Sequence, residues 1–241
     1  MMKNLIRIIT PPIIYNALVF VYRKATSRNQ IEKANIVFHG SNIESQELDT
    51  YWSKTMLEKL ETWGETDAWV ELDCLFAFRS GTVLDVACGT GVNMKALDLY
   101  EGLNNFGIDI SDVLVNKAIE KGISRERIFI GDASENLPFE DSFFDFHYSV
   151  GSLEHFTLEG LDKTLTLIGQ KSKKDAIGFH QVPVSADGTN MGWITRHDQS
   201  YWNNNEEFWI DQFEKHFKKV SIIRSSWKDQ GVSKGIWICT N

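Results

Sequence analysis

The sequence predicts an α/β domain: a mostly parallel sheet of seven strands, closed by an antiparallel C-terminal strand and preceded by a helical lead-in. Three observations predict it. Between Thr82 and Gln181, short apolar runs alternate with helix-length segments, the pattern of βαβ units in a parallel sheet. The first run ends in a glycine loop, Ala87-Cys88-Gly89-Thr90-Gly91. The tail then carries two strand-like runs with no long helical pattern between them, which suits a hairpin.

The elements follow in order. Residues 1–28 form a basic, largely apolar segment. Five of the 25 basic residues (Lys3, Arg7, Arg23, Lys24 and Arg28) lie in the first 31 positions, where there is no acidic residue. The proline pair Pro11-Pro12 splits the apolar run, and Arg7 and Asn16 make it too polar for a membrane span. No small-residue cleavage site follows it, which argues against a signal peptide. Two readings stand: a helix lying in the interface of an anionic membrane, or a cap packed on the domain.

Residues 29–80 read as a helical cap or lead-in. Leu48, Tyr51, Trp52, Met56, Leu57, Leu60 and Trp63 recur at helical spacing. Gly64 interrupts, and Trp69, Leu72, Leu75 and Phe76 resume the pattern. Position alone suggests residues 29–50, with Gly40-Ser41-Asn42, as a lid. The domain proper is 81–241. Its strands fall at 82–86, 105–109, 127–130, 143–149, 176–181, 220–224 and 235–240. Helices fall at 92–100, 111–121, 158–170 and 206–217, with Ser111 as an N-cap and Gly122 as a C-terminal stop.

Composition narrows the function. All 33 acidic residues face the other 20 basic ones beyond the N-terminal segment, within a net charge of -8. An acidic body argues against nucleic acid as partner. Cys74, Cys88 and Cys239 form no CxxC pair, which favours a reducing cytoplasm. No His and carboxylate cluster has metal-ligand spacing, so no metal is expected.

The glycine loop has companions. It follows a strand and opens a helix, where backbone N–H groups approach a ligand. Asp109 ends the next strand and can accept from both hydroxyls of a ribose. Gly131-Asp132-Ala133 follows the third strand, and Leu137-Pro138-Phe139 precedes the fourth. A dinucleotide fingerprint would need a third glycine where this chain has Met94.

This order resembles the Rossmann-like class I S-adenosylmethionine-dependent methyltransferases, close to the small-molecule group typed by ubiquinone and menaquinone methyltransferases, over about residues 80–185. The resemblance implies S-adenosylmethionine as cofactor. It also implies that Gly89 and Gly91 cradle the methionine part, with Asp85 approaching its amino group and Ser149 touching it from the fourth strand. Asp109 would hold the ribose, Ile110 would flank the adenine, and Asp132 with Ala133 would hold its edge. The chain departs from the family at Ala87 and Asn93, where glycine is frequent; the Ala87 backbone keeps its place in the loop.

A hydroxyl acceptor loses a proton on methylation, so a base helps. Leu153-Glu154-His155-Phe156 follows the fourth strand at its carboxyl end, where open α/β sheets bind ligands. His155 is the leading base and Glu154 its orienter; the bland alternative is a histidine that packs locally. His180 and His197 are further candidates, and His147 reads as core. Trp193, Arg196, His197, Tyr201 and Trp202 could stack on a flat or sugar-like acceptor, or pack as core. The basic N-terminus and Trp-rich lead-in resemble methyltransferases of bacterial surface-polysaccharide pathways. They point to a hydroxyl of a sugar or glycan intermediate as acceptor. A lipophilic small molecule such as a quinone precursor, or a non-catalytic cofactor-binding subunit, are the alternatives.

Overall fold

The computed structural model describes residues 36–40, 43, 45, 48–62, 67–196, 199–229 and 231–241. The basic segment 1–28, the break at Gly64 and His197 lie outside the described residues. In chain order the strands are β1 (Val37–Gly40), β2 (Gly81–Val86), β3 (Leu103–Asp109), β4 (Ile128–Ile130) and β5 (Phe144–Val150). After them come β6 (Ser172–Ser185), β7 (Trp193–Arg196), β8 (Gln199–Trp202), β9 (Val220–Asp229) and β10 (Ser233–Thr240). The helices are α1 (Lys54–Thr62), α2 (Asp67–Phe76), α3 (Val92–Leu97), α4 (Asp112–Glu120), α5 (Leu158–Lys171) and α6 (Glu206–Glu214). Single 3-10 turns span Asp49–Trp52 and Leu153–His155.

Seven strands form one sheet in the order β4-β3-β2-β5-β6-β10-β9. Strands β2 to β6 run parallel, and β10 runs antiparallel to both β6 and β9. The mostly parallel sheet with an antiparallel C-terminal strand is therefore as expected. Ser111 caps α4 by accepting from Leu114 N–H at 3.3 Å. Strand β6 extends further than its apolar run because its start, Lys173 to Asp175, is solvent-exposed.

Strand alternation sorts the core. Leu84 and Val86 of β2 face α5 and α6, meeting Leu161, Leu165, Ile168, Trp209 and Phe213. Val83, one residue out of step, faces α2 and packs with Leu72, Phe76, Tyr148 and Trp237. Helix α4 covers the β3–β4 side through Val115 and Ala118. Glu71 of α2 is fixed to the antiparallel edge, accepting from Trp237 Nε1 at 2.7 Å and from Ser226 N–H at 2.6 Å.

A second, three-stranded antiparallel sheet, β1-β7-β8, has no counterpart in the sequence reading. Residues 29–80 read as helical, yet β1 lies within them and pairs Val37 with Thr195. Four residues are too short a run for periodicity to reveal, and Thr195 is 158 positions from Val37. Trp193 and Trp202 of this sheet pack as core, as do Trp209 of α6 and Trp237 of β10.

A polar seam runs through the α5/α6 face. His147 Nδ1 and His180 Nε2 lie 2.9 Å apart, and His180 Nδ1 lies 2.9 Å from Ser149 Oγ. Gly178 stands where any Cβ would collide with the His147 ring. Burial holds His147 down at about 3 and His180 well below its ordinary value. Each stays uncharged in the fold but gains a proton in the unfolded chain below about 6.5. Each therefore contributes stability that is full above pH 6.5 and lost as pH falls towards the folded value. The advantage of the wild-type chain over His180→Gln should narrow by up to about 1.4 kcal/mol per pH unit between pH 6.5 and 4, read by urea denaturation. A constant gap would show that His180 titrates alike in both states.

Candidate active site

One cavity of about 540 Å³ opens at the carboxyl ends of the parallel strands. It lies where the strand order reverses between β2 and β5, the switch point at which open α/β sheets take ligands. The loop after β2, the ends of β3 and β4, and the turn after β5 form its floor. Leu48, Tyr51, Leu60 and Trp69 of the lead-in form its roof. The roof is tied down at both ends. Trp52 Nε1 donates to Asp112 at 2.9 Å, Ser111 Oγ donates to the Tyr51 carbonyl at 3.0 Å, and Lys121 Nζ donates to Glu61 at 2.6 Å.

Asp109 is the hub of the first half. It is buried at the end of β3, and its carboxylate accepts from Gly89 N–H at 2.8 Å and Ser111 N–H at 2.9 Å. Burial pushes it up to about 6 despite those two donors. Gly89 adopts φ +53°, and a Cβ there would meet only Leu60, at 3.9 Å. Ile110, Asp132 and Ala133 line the cavity beside it, with Asp132 held by Ser134 N–H at 2.8 Å.

Three residues expected at the cofactor do not line the cavity. Ser149 belongs to the opposite face: alternation along β5 turns its hydroxyl to His180, and its neighbours Val150, Gly151 and Ser152 line the cavity instead. Gly91 faces α4, where a Cβ would sit 3.1 Å from both Ala118 and Ile123. It permits the close packing of the loop at φ +67° rather than the approach of a ligand. Asp85 lies beneath the loop, fully buried, and accepts from the Tyr148 hydroxyl at 2.8 Å. Desolvation raises its carboxyl well above the ordinary range, with the Asp109 charge adding to the rise.

The second half holds Glu154 and His155, both lining the cavity. His155 Nδ1 lies 2.8 Å from the Ser200 carbonyl. A carbonyl only accepts, so Nδ1 carries the proton and Nε2 keeps its lone pair. Desolvation lowers the imidazole to about 4, so it is neutral. Glu154 is not its orienter: Oε1 lies 3.9 Å from Nε2, and the orienting contact comes from β8. Burial pushes Glu154 up to about 8. His180 is buried in the polar seam and does not reach the cavity.

Around this pair stand Gln181, Arg196, Gln199, Tyr201 and Trp227. Arg196 is ion-paired with Asp229. Gln181 and Gln199 are not expected here from the sequence, and Trp227, expected to pack as core, lines the cavity instead. Each lies on a different strand, and no spacing links them before the chain folds.

Ala87 adopts φ +57°, the left-handed region that L residues avoid at about 1–2 kcal/mol. Ala87→Gly removes that strain but loosens the unfolded chain by about 0.4–1 kcal/mol. The variant should be more stable by about 0.5–1 kcal/mol, measured as a higher urea midpoint; a lower midpoint would show that the Ala87 methyl packs productively against its surroundings.

Comparison with known proteins agrees with this geometry. Residues 83–174 match the family described as a methyltransferase domain. The sterol 24-C-methyltransferase of Schizosaccharomyces pombe is 30% identical over 95 residues, which cover 35% of this chain and 25% of that protein. The chain thus spans about a quarter of the length of the curated relatives it matches. Among solved structures, the 1,6-didemethyltoxoflavin-N1-methyltransferase of Burkholderia thailandensis superposes with TM-score 0.62 at 18% identity, covering 85% of this chain and 93% of that one. A TehB-like SAM-dependent methyltransferase from Corynebacterium glutamicum gives TM-score 0.56 at 16% identity, with 78% and 96% covered. Residues 83–174 thus resemble a methyltransferase domain in sequence, and the chain has the fold of the S-adenosylmethionine-dependent methyltransferases.

Proposed function

We propose that the protein binds S-adenosylmethionine and transfers its methyl group to a hydroxyl of a polar acceptor, a sugar or glycan intermediate. The observation that carries this is His155: a buried, neutral imidazole on the cavity wall, its tautomer fixed by the Ser200 carbonyl and its Nε2 left as acceptor.

The residues present fit the cofactor. Gly89 leaves open space above the loop, and Asp109 offers a carboxylate already held by two backbone donors. Ile110, Asp132 and Ala133 form an apolar slot with one polar edge, suited to an adenine. Gly91 and Asp85 support the loop from behind, and the Ser149 hydroxyl is turned to His180. The cofactor supplies an electrophilic methyl group that needs no activation by the protein. The chain's own residues align the acceptor, exclude water and take its proton. A hydroxyl becomes strongly acidic as its oxygen gains a methyl group, so a weak base suffices. His155, depressed to about 4, is neutral and ready at physiological pH.

The acceptor side favours a hydroxylated molecule. Gln181, Gln199, Arg196 and Tyr201 offer hydrogen-bonding groups, and Trp227 offers a ring face. A sterol would need a more apolar wall, and the matched stretch of the sterol enzyme covers only 35% of the chain. The second reading, a lipophilic small molecule such as a quinone precursor, draws on the apolar roof of Leu48, Leu60 and Trp69. Work on a lipid-carried intermediate also gives the basic segment 1–28 a role at an anionic membrane surface. The full chain should then float with anionic liposomes, and a chain lacking residues 1–28 should not; equal flotation would remove that role.

Calorimetry tests the core of the proposal. S-adenosylmethionine should bind, and Asp109→Ala should weaken it by at least about 10-fold. His155→Ala should keep the affinity but lower turnover on a hydroxylated acceptor by about 100-fold. Unchanged turnover would remove His155 from the chemistry, and binding without any turnover would leave a non-catalytic cofactor-binding subunit.

A further inference from the structure

We infer that Glu154 is the residue by which the cavity distinguishes the charged cofactor from its uncharged product: it gives up its proton to solvent when a sulfonium cation enters, and keeps it when the neutral thioether enters. This rests on the cofactor reading above.

Glu154 is 6% exposed, yet lines the cavity. Its Oε2 is buried with no hydrogen-bond partner, and Oε1 stands 3.9 Å from His155 Nε2, beyond hydrogen-bond reach. Its own backbone N–H favours the charged form, but His155, Tyr51, Tyr201 and Gln181 around it bring no cation. His155 is neutral, because burial opposes its proton and its Nδ1–H serves the Ser200 carbonyl. Tyr51 from the lead-in and Tyr201 from β8 bring hydroxyls whose own ionisation the Glu154 charge opposes. The Arg196 guanidinium on β7 is ion-paired with Asp229. A carboxylate this deeply buried, with an unmatched oxygen and with desolvation outweighing its backbone donor, takes a proton.

The same arrangement makes Glu154 a detector of positive charge. A cation entering the cavity stabilises the ionised carboxyl, and in low dielectric that attraction is strong. The bond that breaks is the carboxyl O–H; its proton passes to bulk water and buffer. Both S-adenosylmethionine and S-adenosylhomocysteine carry the same ribose, adenine and amino acid ends. Any proton exchange at Asp109 is therefore shared by the two, and their difference isolates the sulfonium. Methyl transfer would cancel the charge that Glu154 had matched, so the product is held less tightly than the cofactor.

The test is calorimetry at pH 7 in two buffers of different ionisation heat, on the full chain, with each of the two ligands. Wild type should release about one more proton with S-adenosylmethionine than with S-adenosylhomocysteine. In Glu154→Gln, a neutral isostere, that excess should vanish. The preference for S-adenosylmethionine should fall by about 10-fold, with S-adenosylhomocysteine affinity unchanged. Equal proton counts for both ligands in the wild type would overturn the inference, whatever the variant does. If neither ligand binds, the cofactor reading fails, and the inference with it.

Discussion

The hydrogen bond from Gly89 N–H to Asp109 joins the two segments on which the site depends. It ties the loop after β2 to the end of β3, across 20 positions of sequence. The partner bond from Ser111 N–H binds the same carboxylate to the start of α4. Ser111 in turn caps α4 and holds the Tyr51 carbonyl of the roof. One carboxylate thus sets the loop, the helix entry and, through its neighbour, the cover. Ala87 can be held in a left-handed conformation only because this frame over-determines the loop around it.

A second constraint is electrical. Apart from Asp109, which two backbone donors hold, several acids and histidines in and around the cavity are buried without matching charges and settle in their uncharged forms. Asp85 and Glu154 hold their protons, while His147, His155 and His180 refuse theirs. Of the charged groups in the wall, Arg196 and Asp229 are paired with each other and so cancel. A wall of this kind does not screen a ligand's charge, and it magnifies what few charges the ligand brings.

The part of the cavity wall formed by neighbours in sequence is legible before folding. The glycine loop, Asp109, Ile110, Asp132 and Ala133 each follow a strand end, and a strand end in a parallel sheet is a place as well as a position. Where the reading missed, it missed by one step of strand alternation or by depth. Ser149 lies at the expected end of β5 but turns to His180, a distinction of one residue that a strand buried on both faces does not display. Gly91 and Asp85 have the right residue types for reasons of packing rather than contact. Gln181, Gln199 and Trp227 were invisible as cavity residues, because β6, β8 and β9 meet only through the small β7–β8 hairpin and the antiparallel edge. The four-residue strand β1 was hidden for the same reason: its partner is not local.

The orienting group of His155 is a main-chain carbonyl, not a side chain. No substitution at position 200 can delete it, since every amino acid carries the same carbonyl. Drift in the sequence of the β7–β8 hairpin can therefore alter its outer surface freely and leave the imidazole tautomer intact. What the arrangement does not tolerate is a change of length. A single inserted or deleted residue in the hairpin would shift β8 by one step, turn the carbonyl away, and release the ring. In homologous chains, this site should be recorded by invariant spacing rather than by invariant letters.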